Sequence, residues 1–161
     1  MKHVSILVPN SPCILSSVIG AYKVFTTVNM TLASRGKRPF FDIKMVGLTN
    51  ETRLYDGLFI VRPDVLLENV TKTDLIIIPA IQGEMPVSLK MNSPFIPFIF
   101  DQYKQGAEVA SLCTGAFLLA STGLLKGKKC STHWIAADAF RQAFPDVKLQ
   151  PEKIITDELG M

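Results

Sequence analysis

Three short runs of apolar residues constrain the fold of this chain more than any other feature. They read VSILV at Val4–Val8, DLIIIP at Asp74–Pro79 and VASL at Val109–Leu112. The DLIIIP run is the clearest strand, and it is apolar on both faces, as is typical in the middle of a parallel sheet. Segments with helical spacing lie between them. We therefore expect an α/β fold, a flavodoxin-like three-layer sandwich with a mostly parallel central sheet.

Helical spacing fills the segments between these runs. From Leu15 the apolar residues recur every three or four positions until Gly36, and Ser93-Pro94 reads as the cap and first residue of another helix. A hairpin is indicated where Asp56-Gly57 separates two apolar stretches. The other predicted helices are Thr114–Thr122 and Trp134–Phe144, and the other predicted strands are Phe40–Val46, Val147–Leu149 and Lys153–Ile155.

The composition is that of a folded domain without a strongly charged face. The 161 residues fit one domain spanning 1–161, and 48% hydrophobic with 19% charged residues excludes a disordered chain. The net charge of +3 is mild, and the KGKK cluster at Lys126–Lys129 is typical of a solvated loop. The sequence has no helix-turn-helix pattern and no zinc-ligand spacing. We expect no metal, no cofactor and no DNA contact from this chain itself.

Cysteine usage and hydropathy favour a cytoplasmic protein. The three cysteines have no paired spacing, and the apolar start is too short for a signal peptide. The longest uncharged run, residues 109–125, contains Gly115, Ser121 and Gly123, which divide it into strand, turn and helix. We therefore expect no membrane association.

The string SLCTGAFLLASTGLLKGKKCSTHW, from Ser111 to Trp134, places a cysteine between an apolar strand and an apolar helix. Gly115 follows Cys113 by two residues, as in the strained turn that presents a nucleophile in the G-x-S-x-G motif. His133 follows 20 residues later and is a candidate base for the thiol. Strand ends of such sheets open into crevices where ligands bind, so this turn is the candidate site.

Several interpretations of these residues stay open on spacing alone. Cys113 and His133 are either a working catalytic pair, an inactive remnant of such a pair, or residues that only fill the core. The last alternative is open because cysteine is among the most frequently buried residues. Cys130 either resolves an oxidised Cys113 or fills the core. Cys13 either lines the crevice after the first strand or fills the core. Trp134 either stacks on a ligand or packs against the sheet.

The string around Cys113 resembles the ThiJ/PfpI family of the class I glutamine-amidotransferase-like superfamily. The matching residues are C-T-G-A at Cys113–Ala116, followed by S-T-H at Ser131–His133. The longer string from Cys113 to Trp134 is similar to the N-terminal domains of AraC-type transcription regulators. GAYKVFTTVN at Gly20–Asn29 and the DLIIIP strand support that branch. The resemblance covers nearly the whole chain.

The resemblance assigns roles to residues of this sequence. Cys113 matches the family nucleophile, and His133 matches its partner. The backbone N–H of Thr114 would form one side of an oxyanion hole, and the loop Ala80-Ile81-Gln82 would supply the other. We also expect Cys113 to be partly accessible and to be alkylated faster than Cys130.

Three departures from the catalytic branches predict that turnover is weak or absent. Those branches keep a glutamate near the start of the first helix, where this sequence has Ser16 and Ser17. Their Pro-Gly-Gly loop reads Pro79-Ala80-Ile81 here, and no acid stands two residues after His133. Each change weakens the activation or the orientation of a cysteine–histidine pair.

The resemblance therefore implies a regulator more strongly than an enzyme. We expect the ligand-sensing and dimerisation domain of an AraC-type transcription regulator, with a non-catalytic cysteine elbow. One alternative is a small cysteine-dependent hydrolase, hydratase or glyoxalase-like enzyme. Another is a redox-responsive cysteine protein without turnover.

The expected partners follow from the same resemblance. They are a second copy of the chain, an unidentified small-molecule effector, and DNA reached only through a C-terminal domain that is not in this chain. The family fold continues with a strand and a helix after the residues matching ITDELGM. We therefore expect a domain of a longer regulator, in which the open sheet face is covered by a second copy or a neighbouring chain.

Overall fold

The computed structural model describes every residue from Met1 to Met161 and is built around a five-stranded parallel sheet. The nine strands are β1 (Lys2–Val8), β2 (Phe41–Gly47), β3 (Thr52–Leu54), β4 (Phe59–Val61), β5 (Val65–Leu66), β6 (Leu75–Ile78), β7 (Glu108–Ser111), β8 (Lys129–Cys130) and β9 (Lys148–Leu149). In the main sheet the order is β5-β2-β1-β6-β7, and every pairing is parallel. This confirms the predicted fold class.

Five α-helices connect these strands. They are α1 (Leu15–Ser34), α2 (Met85–Met91), α3 (Phe95–Lys104), α4 (Ala116–Ser121) and α5 (Ala137–Ala143). Short 3₁₀ turns at Leu67–Asn69, Cys113–Gly115 and Trp134–Ala136 complete the chain. None of the helices is long and apolar enough to cross a membrane.

Alternating side chains on the central strands divide the core into two layers, one on each face of the sheet. Ile76 and Ile78 of β6 belong to the larger cluster, which includes the buried faces of α3, α4 and α5. Ile77, between them, belongs to the smaller cluster, where Val18 of α1 is buried. Successive side chains of a strand point to opposite faces, so one apolar strand supports both layers. The result is the three-layer sandwich.

The structure differs from the sequence prediction in two places. The predicted helix at Ser93–Pro94 begins instead at Phe95, and a separate helix, α2, precedes it. The segment Lys153–Ile155, predicted as a strand, forms no ladder. Residues nearer the C-terminus contact the outer edge of β7 instead: the Val109 N–H donates to the carbonyl of Gly160 over 2.8 Å.

The C-terminal segment therefore crosses the open edge of the sheet without joining it. The Tyr103 hydroxyl donates to the carbonyl of Leu159 over 3.0 Å, and Lys129 forms an ion pair with Glu158. Ile154 remains 96% exposed. Together with β7 and the β8–β9 pair, this segment encloses a groove that ends at the turn after β7.

The cysteine elbow and its groove

The turn after β7 holds Cys113 in a strained backbone conformation. Its φ of +55° lies in the left-handed region, which few non-glycine residues adopt. Such a conformation costs about 1–3 kcal/mol and persists only where surrounding contacts enforce it. The sequence prediction that Cys113 lies at a sharp strand-to-helix turn agrees with this geometry.

Gly115 is what lets the turn close against the sheet. A Cβ at this position would lie 2.6 Å from the carbonyl oxygens of both Ile78 and Pro79, so no side chain fits. The N–H of Leu112 donates to the same Ile78 carbonyl over 2.9 Å. The glycine thus allows the start of α4 to sit directly on the end of β6.

Two threonine hydroxyls fix the elbow to its neighbours. Thr114 Oγ1 donates to the carbonyl of Ile81 over 2.6 Å, and Thr132 Oγ1 donates to the carbonyl of Cys113 over 3.0 Å. The elbow is therefore tied on one side to the loop after β6 and on the other to the segment that leads to His133.

The loop Ala80-Ile81-Gln82 is engaged with the start of the chain. It forms an antiparallel bridge in which the Gln82 N–H donates to the carbonyl of Pro12 over 2.7 Å. The Ala80 N–H donates to Ser17 Oγ over 3.0 Å. Two of the three loop amides that the family resemblance offers for one side of an oxyanion hole are thus already hydrogen-bonded within the fold.

Ser16 and Ser17 face different surroundings at the start of α1. Ser17 is half-buried and also donates to the carbonyl of Ile14 over 2.6 Å, so its hydroxyl bridges two backbone groups. Ser16 is exposed. Ser17 is thus a neutral hydrogen-bonding residue beside the loop 80–82. A glutamate at this place, as in the catalytic branches, would add a negative charge.

His133 is oriented by its own helix start. Its Nδ1 accepts a hydrogen bond from the Ile135 N–H over 3.3 Å, and its ring stacks on Trp134 with 5.5 Å between centroids. No hydrogen bond joins it to Cys113. Trp134 is 71% exposed, so the expectation that it packs against the sheet is wrong. The imidazole and indole form an exposed wall instead.

A groove of about 820 Å³ brings Cys113 and His133 together. It runs along β7 from the elbow, with Trp134, Ile154 and Ile155 among its apolar lining residues. Its volume lies within the range of small-molecule sites, about 300–1,000 Å³. The loop residues 80–82 and the start of α1 do not line it. The structure thus joins one pair of the predicted site residues in a groove and leaves the others behind the elbow.

The three thiols occupy different environments. Cys13 is buried in the smaller core cluster, as the core-filling interpretation predicted, and burial raises its pKa to about 11. Burial likewise raises the pKa of Cys130 to about 11, although this residue also lines the groove. Cys113 is half-buried at the turn after β7. It is the most accessible of the three.

Carboxylates line the groove away from the elbow. Glu108 stands at the opposite end of β7 from Cys113, about 15 Å away at the rise of an extended strand. Asp157 lies on the C-terminal wall. Asp138, the first acid after His133, is exposed and pairs with Arg141 at 2.9 Å. No group of three metal-binding side chains is present.

A sequence profile of the DJ-1/PfpI family matches residues 23–157. The chain belongs to this family. The solved structures that share the fold include a ThiJ/PfpI family protein from Pseudomonas syringae, with a TM-score of 0.77 at 17% identity over 99% of this chain and 60% of that one. An AraC family transcriptional regulator from Pseudomonas putida has a TM-score of 0.73 at 17% identity, over 99% of this chain and 81% of that one.

Curated relatives of this DJ-1/PfpI domain include both regulators and an enzyme. The HTH-type transcriptional regulator GbdR of Pseudomonas aeruginosa is 34% identical over 94 residues, which is 58% of this chain and 24% of that protein. The isonitrile hydratase of Pseudomonas putida is 31% identical over 109 residues, 68% of this chain and 43% of that protein. The chain spans about a quarter of the regulator's length and less than half of the enzyme's.

Sequence reasoning missed two parts of this DJ-1/PfpI site. Thr132, which fixes the elbow carbonyl, was indicated only by its place beside His133. Ile154 and Ile155 were assigned to a strand, and their role as a groove wall has no signal in the sequence. Both features depend on contacts between segments that are far apart along the chain.

Proposed function

We propose that this chain is the ligand-sensing and dimerisation domain of an AraC-type transcription regulator, in which the Cys113 elbow binds an effector without catalysing a reaction. The domain acts in the cytoplasm on a small molecule that enters the groove along β7. DNA is contacted by a separate C-terminal domain encoded beyond residue 161. The similarity to GbdR supports the regulator class, and the geometry of the elbow supports the non-catalytic role.

One observation carries the proposal: the thiol and the imidazole line the same groove but are not engaged with each other. The Nδ1 of His133 accepts from the Ile135 N–H, and no carboxylate orients the ring. The amides of Ala80 and Gln82 are hydrogen-bonded within the fold, so they do not point to a developing oxyanion. A thiol needs a positioned base and an oxyanion site for acyl or hydration chemistry. The base is not positioned against the thiol here.

The lysine-rich loop is not a free cationic surface. Lys126 pairs with Asp146 and Lys129 with Glu158, while the Lys128 ammonium stands over the Tyr103 ring. These basic groups are met by acids and an aromatic ring of the same chain. A phosphate-binding surface needs clustered cations that are free to release counterions on binding.

Protection of Cys113 from alkylation measures occupancy of the groove directly. Brief iodoacetamide treatment at pH 8 is expected to label Cys113 faster than Cys13 or Cys130. The thiols of Cys13 and Cys130 have a pKa of about 11, so they are almost entirely protonated and unreactive at that pH. A panel of metabolites is then added, and peptide mass spectrometry follows the labelling rate. We expect an effector to slow labelling of Cys113 at least tenfold at saturation. The label on Cys13, which lies in the smaller core cluster and does not line the groove, is the internal control.

Two results would contradict the sensing proposal. Preferential labelling of Cys130 would show that the elbow thiol is not the accessible one. A coding sequence without a helix-turn-helix domain after residue 161 would remove the regulator assignment.

A second candidate function is a cysteine-dependent hydratase. The match to the isonitrile hydratase and the strained φ of Cys113 favour it, since nucleophiles are often held on such turns. An enzyme of this kind attacks its substrate with the thiolate and forms a covalent intermediate. Intact mass spectrometry after incubation with an aryl isonitrile distinguishes the two functions. We expect no adduct on Cys113.

A further inference from the structure

We propose that the groove along β7 binds a small aryl carboxylic acid, with its ring against Trp134 and its carboxylate at the end of the groove nearest Cys113. This inference rests on the proposed function, for which it names the chemical class of the effector. Two independent features carry it. One is an exposed apolar wall, and the other is a set of hydrogen-bond donors that the chain itself leaves without partners.

The wall of the groove is apolar, flat and open to solvent. Trp134 is 71% exposed, and Ile154 and Ile155, which also line the groove, are 96% and 81% exposed. The His133 and Trp134 rings are stacked 29° from parallel, so together they present a flat surface. Large apolar side chains in a concave site are typical of a ligand pocket. A planar aromatic ring stacks on such a wall, which a puckered ring cannot do.

The segment after β8 offers two donors to a ligand on this wall. His133 Nδ1 accepts from the Ile135 N–H, so the proton of the neutral imidazole lies on Nε2. This Nε2–H has no hydrogen-bond partner within the chain, and neither has the hydroxyl of Ser131. Both residues line the groove. They lie beside the elbow, because Thr132 between them donates to the carbonyl of Cys113.

The open edge of β7 adds a backbone donor at the same end. The N–H groups of Glu108 and Leu112 donate to carbonyls on the β6 side of the strand. Backbone groups alternate between the two edges of a strand, so the N–H groups of Val109 and Ser111 face the groove. The C-terminal segment satisfies Val109, but no strand pairs with this edge and the Ser111 N–H stays free.

Lys153 supplies a positive charge that no acid of the chain neutralises. It lines the groove without an ion-pair partner, whereas Lys129 is paired with Glu158. Its backbone is tied to β8, since the Lys153 N–H donates to the Gln150 carbonyl and the Gln150 N–H donates to the Cys130 carbonyl. The free ammonium therefore belongs to the side of the groove that leads to the elbow.

The acids of the groove belong to its other end. Glu108 begins β7, and a Cβ at Gly160 would lie 3.4 Å from the Glu108 Cγ. Asp157 is on the segment that leads to Gly160. The unpartnered groups beside the elbow can all donate, and a carboxylate is an acceptor with two oxygens in one plane. Its charge strengthens each of these hydrogen bonds, so we assign the carboxylate to the elbow end.

Trp134 is the single tryptophan of the chain, so its fluorescence reports on the wall directly. The probe is phenylacetate, titrated to millimolar concentration, and we expect a saturable change in emission. Phenylacetamide keeps the ring but lacks the charge, and cyclohexylacetate keeps the charge but has a puckered ring. These two matched ligands are each expected to bind about tenfold more weakly than phenylacetate.

Substitutions test the two halves of the site separately. His133→Phe keeps an aromatic ring but removes the donor, and it is expected to raise the Kd of phenylacetate about tenfold. Lys153→Gln is expected to raise it about threefold. Lys37→Gln, exposed and outside the groove, is the matched control and is expected to leave the Kd unchanged. In Trp134→Ala we expect phenylacetate to lose the protection of Cys113 from iodoacetamide that it gives wild type.

The outcomes separate this ligand class from the proposed function. An unchanged Trp134 emission, equal affinity for phenylacetate and phenylacetamide, or full affinity in both His133→Phe and Lys153→Gln would overturn the class. Protection of Cys113 by another metabolite but not by phenylacetate would leave sensing intact while this inference falls. Binding of phenylacetate as expected, by a chain whose gene encodes no helix-turn-helix domain after residue 161, would sustain this inference while the regulator assignment falls.

Discussion

The helices α4 and α1 lie on opposite faces of the sheet and are used in opposite ways. All five residues from Ala116 to Ala120 of α4 are buried, whereas the 20 residues of α1 contribute one buried side chain, Val18. A six-residue helix is too short to be stable alone, so α4 is held by its tertiary contacts. The long helix α1 keeps an apolar outer face that its own chain leaves uncovered.

This difference separates the consequences of substitution on the two faces. Changes in α4 and at its start alter the packing that holds Cys113 at φ +55°, so they reduce the stability of the fold and of the elbow together. Changes on the outer face of α1 leave the core intact, so they have little effect on the stability of the fold.

The largest effect is expected for Phe117→Ala in α4. The Phe117 ring packs edge-on against Phe140 at 5.0 Å and is 2% exposed, so truncation leaves a cavity between two elements. We expect a loss of about 4 kcal/mol in the free energy of unfolding, measured in urea at a fixed protein concentration. Val24→Ala on α1, which is 62% exposed in wild type, is expected to change it by less than about 0.5 kcal/mol. Similar losses for both would refute the separation.

A smaller but still large effect is expected for Gly115→Ala. The added methyl group meets the carbonyl oxygens of Ile78 and Pro79, which are backbone atoms and cannot rotate away. We expect a loss of about 2–3 kcal/mol. Gly20→Ala on the exposed face of α1 is expected to raise the free energy of unfolding by about 0.5–1 kcal/mol. A neutral Gly115→Ala would show that α4 does not rest on the end of β6.

The smallest effect in this series is expected for Thr114→Val. The substitution keeps the shape of the side chain but removes the donor to the carbonyl of Ile81, leaving that carbonyl without its partner. We expect a loss of about 1–2 kcal/mol and faster alkylation of Cys113, because the elbow is freed on one side. Thr31→Val on α1 removes only a local bond to Thr27 and is expected to be neutral. Unchanged alkylation in Thr114→Val would show that this hydroxyl does not fix the elbow.

The parts of the fold that the sequence predicts are those decided by local pattern. Strand β6 is a continuous apolar run, and β1 and β7 are largely apolar in the stretches VSILV and VASL. The helical spacing of apolar residues between Leu15 and Gly36 predicts α1. The elbow was found because a cysteine and a glycine at fixed spacing follow a buried strand. These features depend on residues that are near each other along the chain.

The parts that escaped prediction depend on contacts across the fold. Helix α2 has seven residues and a proline in its first turn, and Ser88 ties it to the loop by donating to the carbonyl of Gln82 over 2.6 Å. The segment Lys153–Ile155 has strand propensity but meets no ladder partner. The side-chain bond between Ser17 and Ala80 joins residues 63 positions apart. No pattern of residue spacing in the sequence predicts a hydrogen bond over that separation.

The turnover rate of Cys113→Ser beside wild type tests most directly whether the elbow binds without catalysis. Both proteins are incubated with an aryl isonitrile, a simple ester and methylglyoxal, and product formation is followed at several enzyme concentrations. Cys130→Ser controls for the loss of a thiol elsewhere in the groove. We predict that wild type and Cys113→Ser give the same rate as buffer for all three substrates. A wild-type rate that Cys113→Ser abolishes and Cys130→Ser retains would contradict the sensing role and establish the enzyme.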